Sequence, residues 1–144
     1  MLKIQRKLDF GNGFYTTSDL EQATKWAKRT ALRFNQKNAY VNVYEINDTE
    51  MQDLKILYFY KPDDEWLHYV VQNRKGESVA NDWDIIIGPV ANDQTITVID
   101  FFINGIYNEK EAIKRLLTQR LKNQYTFKTK KSIELLHYKE SIQL

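Results

Sequence analysis

Apolar residues recur along this chain in short alternating runs and in steps of three and four, with turn-forming residues between them. Residues 14–17 (FYTT) are aromatic and β-branched and predict a strand, and Ser18 or Asp19 can cap a helix with Glu21 or Gln22 close behind. Ala23, Trp26, Ala27, Thr30, Ala31 and Phe34 then repeat at helical spacing until Asn35-Gln36-Lys37-Asn38 ends the pattern. Residues 39–46 (AYVNVYEI) alternate as a strand, and residues 54–60 (LKILYFY) read as another. A helix over residues 64–74 should open with Pro62 in its first turn and acidic residues at its positive end, and a polar loop follows it after Gly76. Residues 83–88 (WDIIIG) form a continuous apolar run, which predicts a central strand buried on both faces.

The C-terminal third is less uniform. Residues 95–103 fit both periods: their β-branched types favour a strand, while Ile96, Ile99, Asp100 and Ile103 also line up on a helical face. Residues 108–121 predict a helix with an Asn cap, acidic residues early and basic residues late. Residues 125–127 read as a short strand, 130–136 as a helix or turn, and 136–141 as a final edge strand. Short strands interleaved with helices predict an α+β domain. No repeat, low-complexity tract or Pro-rich linker divides the 144 residues, so they read as one domain, 1–144.

Composition narrows what this domain can do. Zero Cys excludes disulfides, thiolate metal sites and a cysteine nucleophile, and two His are too few for a histidine metal cage, so no metal is expected. No apolar run is long enough for a membrane span and the basic start lacks a signal-peptide core, which predicts a cytoplasmic protein with no membrane partner. From residue 109 to 144, nine Lys or Arg stand against four Glu, so this segment carries the excess positive charge; it permits a polyanionic partner, or is simply a solvated surface. Standard phosphate-loop, nucleophile-elbow, zincin and dinucleotide fingerprints are absent. The acidic pairs Asp63-Asp64 and Asp82/Asp84 read as a helix start and a loop rather than as catalytic carboxylates.

One segment has the grammar of a site. Gly11 and Gly13 bracket Asn12 and allow a tight backbone turn with room for a ligand beside Phe14 and Tyr15. The same Gly-Asn-Gly also reads as an ordinary hairpin turn feeding a strand. Gly11-Asn12-Gly13-Phe14-Tyr15-Thr16-Thr17, followed by Gln22-Ala23 and Trp26-Ala27, resembles the second motif of the ADP-ribosyltransferase superfamily. The segments Asn42-Val43-Tyr44-Glu45, Glu65-Trp66-Leu67 through Asn73-Arg74, Asp84-Ile85-Ile86-Ile87-Gly88-Pro89 and Asn123-Gln124-Tyr125 are similar, in that order, to a bacterial family of unknown function assigned to that superfamily.

The resemblance implies an ADP-ribosyltransferase-like mixed sheet of short strands with flanking helices, and NAD as substrate. The reaction breaks the bond between nicotinamide and ribose through an oxocarbenium-like transition state. It implies cofactor-binding roles for Gly11, Gly13 and Tyr15, whose ring would stack on nicotinamide. Trp26, eleven positions later, matches a second aromatic wall, although its spacing also suits burial against the sheet. Gln124 stands where the superfamily carries a catalytic glutamate; its amide can bond a ribose hydroxyl but brings no negative charge. Family members begin with a strand carrying His-Gly, yet no His precedes Tyr15 here, so the expectation is a domain N-terminally incomplete relative to the family. A missing strand would leave a sheet edge to be covered by residues 1–7 or by a homodimer. The resemblance thus implies either an enzyme, with a toxin or phage-defence role and a protein, nucleic acid, small molecule or water as acceptor, or a non-catalytic degenerate domain acting as a binding or protein-interaction module.

Overall fold

A computed structural model describes residues 9–77 and 82–144. Residues 1–7, suggested above as an edge cover, and the middle of the polar loop before Trp83 lie outside the described residues. Among the described residues, apart from one 3₁₀ turn, eleven helices and strands follow in order: β1 (Phe14–Thr17), α1 (Leu20–Arg33), β2 (Tyr40–Glu45), β3 (Ile56–Tyr58), α2 (Asp64–Arg74), β4 (Ile85–Pro89), α3 (Asp93–Ile103), α4 (Glu109–Leu116), β5 (Asn123–Phe127), the single turn α5 (Lys130–Ile133) and β6 (His137–Gln143). The fold is α+β. Four strands form a mixed sheet in the order β1-β5-β4-β3, and β2 pairs with β6 in a separate antiparallel ribbon.

The sheet follows from the side-chain alternation of its middle strand. β4 is buried at every position. Ile86 joins Phe10, Trp66, Leu67, Val70 and Ile99 in the core beneath α2, α3 and α4, while Ile85 and Ile87 turn to the opposite face with Phe127. That division explains why residues 85–87 are apolar without interruption. Trp66 is fully buried and its indole N–H donates to the Pro89 carbonyl at 3.0 Å, so the largest core ring also ties α2 to the end of β4. On the second face, Phe14, Tyr44 and Tyr138 make successive edge-to-face contacts at 5.8 Å, linking β1 to the β2/β6 ribbon.

Capping decides the segments that periodicity leaves open. Asn92 accepts a hydrogen bond from the Thr95 amide, and the run with two competing periods becomes the helix α3, with Thr95 and Ile99 buried. Asp19 caps α1 through the Gln22 amide, and Asn108 caps α4 through the Glu111 amide. α2 is capped by Asp63, so Pro62 precedes the helix instead of occupying its first turn. Two expected elements are shorter. The strand foreseen over 54–60 shrinks to β3, because a 3₁₀ turn (Glu50–Asp53) precedes it and the chain bends after Tyr58. The helix foreseen over 108–121 ends at Leu116, where the Thr118 hydroxyl bonds the Arg115 carbonyl. α1 buries none of its residues fully, although its apolar spacing suggested a core-facing stripe; Leu32 and Phe34 are exposed. No helix among the described residues is long and apolar enough to cross a membrane.

Candidate functional site

The register of three strands brings two of the expected site residues to one sheet face. β1 and β5 are antiparallel, with Tyr15 opposite Thr126 and Thr17 opposite Gln124. β4 continues the row, with Gly88 opposite Gln124. Cross-strand partners project to the same side, so Tyr15, Thr17, Gln124, Thr126 and Gly88 share the face that carries the larger core. Tyr15 and Gln124 are diagonal neighbours across β1 and β5, a relation within reach of long side chains.

The glycine turn is built from contacts on several sides. Gly11 has φ +75°, and Gly13 lies so close to β5 that a Cβ there would meet the Thr126 methyl at 2.6 Å and the Phe127 carbonyl oxygen at 2.9 Å. The Phe10 amide donates to the Tyr15 phenol oxygen at 3.1 Å, and the phenol donates to the Gly11 carbonyl at 2.5 Å. Lys128 Nζ donates to the Phe10 carbonyl at 2.6 Å, and Arg74 pairs with Asp9 at 2.7 Å. Phe10 is fully buried, stacked on Phe59 at 5.9 Å and close against Gly88. Within the described residues the turn is a pinned loop entering β1; a strand paired through it, as the hairpin reading of Gly-Asn-Gly requires, would fall outside the described residues.

These contacts settle the local chemistry. Burial pushes the Tyr15 phenol well above the usual tyrosine range, only partly offset by the Phe10 amide that faces it. With both hydrogen-bonding capacities committed to the turn, the hydroxyl is an anchor, and the half-buried ring packs against the larger core. The Thr126 hydroxyl lies beside that phenol without reaching hydrogen-bond geometry. Burial also pulls the Lys128 ammonium below its ordinary value.

Gln124 is 4% exposed, and among the described residues its amide nitrogen has no hydrogen-bond partner; the fully buried Thr126 hydroxyl has none there either. An orphaned buried polar group costs roughly 1–3 kcal/mol, so two of them on successive inward positions of one strand mark a place where the fold keeps polarity at the expense of stability. Trp26 stands apart. It is half-buried on α1 and is named in neither apolar cluster. The Asp84 carboxylate is held low by the Lys55 amide and the Thr129 hydroxyl, which makes it a loop fastener, as its position suggested. Sequence reasoning missed Thr126 and Lys128; both follow from extending the period-2 alternation inward from Gln124. Among the described residues no three metal-ligating side chains cluster.

No curated protein and no solved structure matches the chain. A family model does, over residues 1–138, and its description is "Protein of unknown function (DUF3990)". With a match over nearly its whole length, a chain whose glycine turn, buried amide and central isoleucine strand have just been described belongs to the DUF3990 family.

Proposed function

We propose that this DUF3990 member is an ADP-ribosyltransferase-like protein that binds NAD and transfers ADP-ribose to a protein or nucleic-acid acceptor. The observation that carries this reading is the diagonal placement of Tyr15 and Gln124 on one sheet face, with the Gln124 amide buried and without a partner. In the proposed complex the Tyr15 ring supports the nicotinamide, Gly11 and Gly13 let the backbone approach it, and the Gln124 amide hydrogen-bonds a ribose hydroxyl. Trp26 is assigned the second aromatic wall. Orientation and exclusion of water would then favour cleavage of the bond between nicotinamide and ribose. A neutral amide offsets less of the developing positive charge than a carboxylate, so turnover is expected to be roughly 10²–10³-fold slower than with a glutamate. Among the described residues β1 is an outer strand of the sheet, and we assign its outer edge to pairing with a second copy.

A second reading, NAD binding without transfer, is favoured by that same lack of charge at Gln124. Calorimetric titration with NAD tests the first part. Wild type and Tyr15→Phe are expected to bind, because both keep the ring, whereas Tyr15→Ala and Gln124→Ala lose most of the affinity; equal binding by all four removes both residues from the site. Nicotinamide release from NAD by the wild type, increased in Gln124→Glu, separates transfer from binding alone.

A further inference from the structure

Alternation at the end of β3 turns Phe59 into the core and leaves Tyr58 and Tyr60 on the other side. Tyr58 is 39% exposed and Tyr60 is 85% exposed, yet their rings stack at 4.3 Å with 25° between planes. Tyr60 is thereby held by one face while the other stays open to solvent. Asn123 Nδ2 donates to the Tyr58 hydroxyl at 3.3 Å, which brings the first residue of β5 against the stack. In sequence, Lys61 follows Tyr60 directly and Arg120 and Lys122 lead into Asn123, all three exposed. Among the described residues none of these three cations forms an ion pair. Of the acids nearest in sequence, Asp63 is committed to the Trp66 amide, while Asp64 and Glu65 start α2.

We propose that this surface docks single-stranded nucleic acid. A base stacks on the open face of Tyr60, the Asn123 amide sits at the base edge, and Lys61, Arg120 and Lys122 neutralise the flanking phosphates. The combination selects the occupant: a sugar would use the aromatic stack and leave the cations idle, and an acidic peptide would use the cations and leave the open ring idle. A duplex keeps its bases within the helical stack and cannot offer one to Tyr60. Asn123 immediately precedes Gln124 but its side chain projects to the opposite sheet face, so the surface shares no residue with the NAD site and does not depend on it.

The test is fluorescence anisotropy of the full chain with a labelled single-stranded oligonucleotide, as RNA and as DNA, at low salt, with the corresponding duplex alongside. Wild type is expected to bind the single strands more tightly than the duplex. Tyr60→Ala should weaken that binding by roughly fivefold to a hundredfold, the range for loss of one base–aromatic stack. Tyr60→Leu, which keeps apolar bulk without a π face, should weaken it comparably, and Tyr60→Phe should restore it. Lys122→Gln should lower the slope of log affinity against log salt by about 0.7. Absence of single-strand binding by wild type, equal or tighter binding of the duplex, or wild-type affinity in Tyr60→Leu would each overturn the proposal. The exposure of Tyr60 keeps its variants folded, which an unchanged circular-dichroism melt verifies.

Discussion

Gly13 carries a demand that no other residue type meets. Any Cβ there would press on a methyl group that could shift and on a main-chain carbonyl that could not, since the Phe127 oxygen belongs to the β5 backbone. Gly13→Ala is therefore expected to push β1 away from β5 and cost about 1–3 kcal/mol, read as a lower urea midpoint with an unchanged slope. Asn12→Ala, at an exposed position of the same turn, serves as the comparison and should stay near wild type. If Gly13→Ala unfolds at the wild-type midpoint, the close approach of the turn to β5 is not a constraint. The same logic separates Tyr15 from Gln124. Tyr15 supports its own turn through its hydroxyl and packs its ring against the larger core, whereas the Gln124 amide nitrogen is buried with no partner among the described residues.

Elements differ in how openly the chain announces them. β4 was legible from its uninterrupted apolar run, although it starts at Ile85 rather than at Trp83 and continues through Gly88-Pro89 where the sequence suggested a stop, and α2 was legible from its apolar positions between Asp63 and Gly76. The β-branched residues of α3 left its segment open between two periods, and the helix won through the Asn92 cap and the burial of Ile99. The pairing of β1 with β5 could not be read at all, because register between distant strands depends on tertiary packing and leaves no local trace. On the face that they share, Tyr15 and Gln124 were singled out in the sequence by resemblance, while Thr126 and Lys128 follow from the period-2 alternation continued from Gln124 and their neighbourhood to Tyr15 from the register. α1 is the opposite case, a well-capped helix with clear spacing that still buries no residue completely, whereas α2 buries Trp66, Leu67, Val70 and Val71. Native-state hydrogen exchange should accordingly release the amides of α1 well before those of α2. Equal protection of the two helices would mean that α1 is held by more than its described contacts.

For the molecule as a whole, buried titratable groups set the alkaline behaviour. Burial raises the phenols of Tyr15 and Tyr69, so above about pH 10 the unfolded chain releases protons that the folded chain keeps, and stability falls as pH rises. Lys128 acts in the other direction over a lower window. Its ammonium is lowered in the fold, so the unfolded state binds more protons between that lowered value and the ordinary lysine value, and stability climbs there. Denaturation midpoints followed across this range should rise and then drop. Tyr15→Phe should make the drop shallower, leaving the Tyr69 contribution; a drop as steep as wild type would show that the Tyr15 phenol ionises as freely folded as unfolded.

Both sheets join early strands to late ones. The hydroxyl of Thr16 bonds a carbonyl 109 positions away, and the Ser141 hydroxyl bonds an Asn42 side chain across 99 positions. During synthesis, then, the segments FYTT and YVNVYE emerge long before their partners and must stay uncommitted while most of the chain is made. Loop closure over such spans makes assembly slow for a protein of this length. A nascent chain halted before β5 would hold the parallel β3–β4 pair but neither ribbon nor complete sheet, with β1 and β2 still sticky and awaiting their complements.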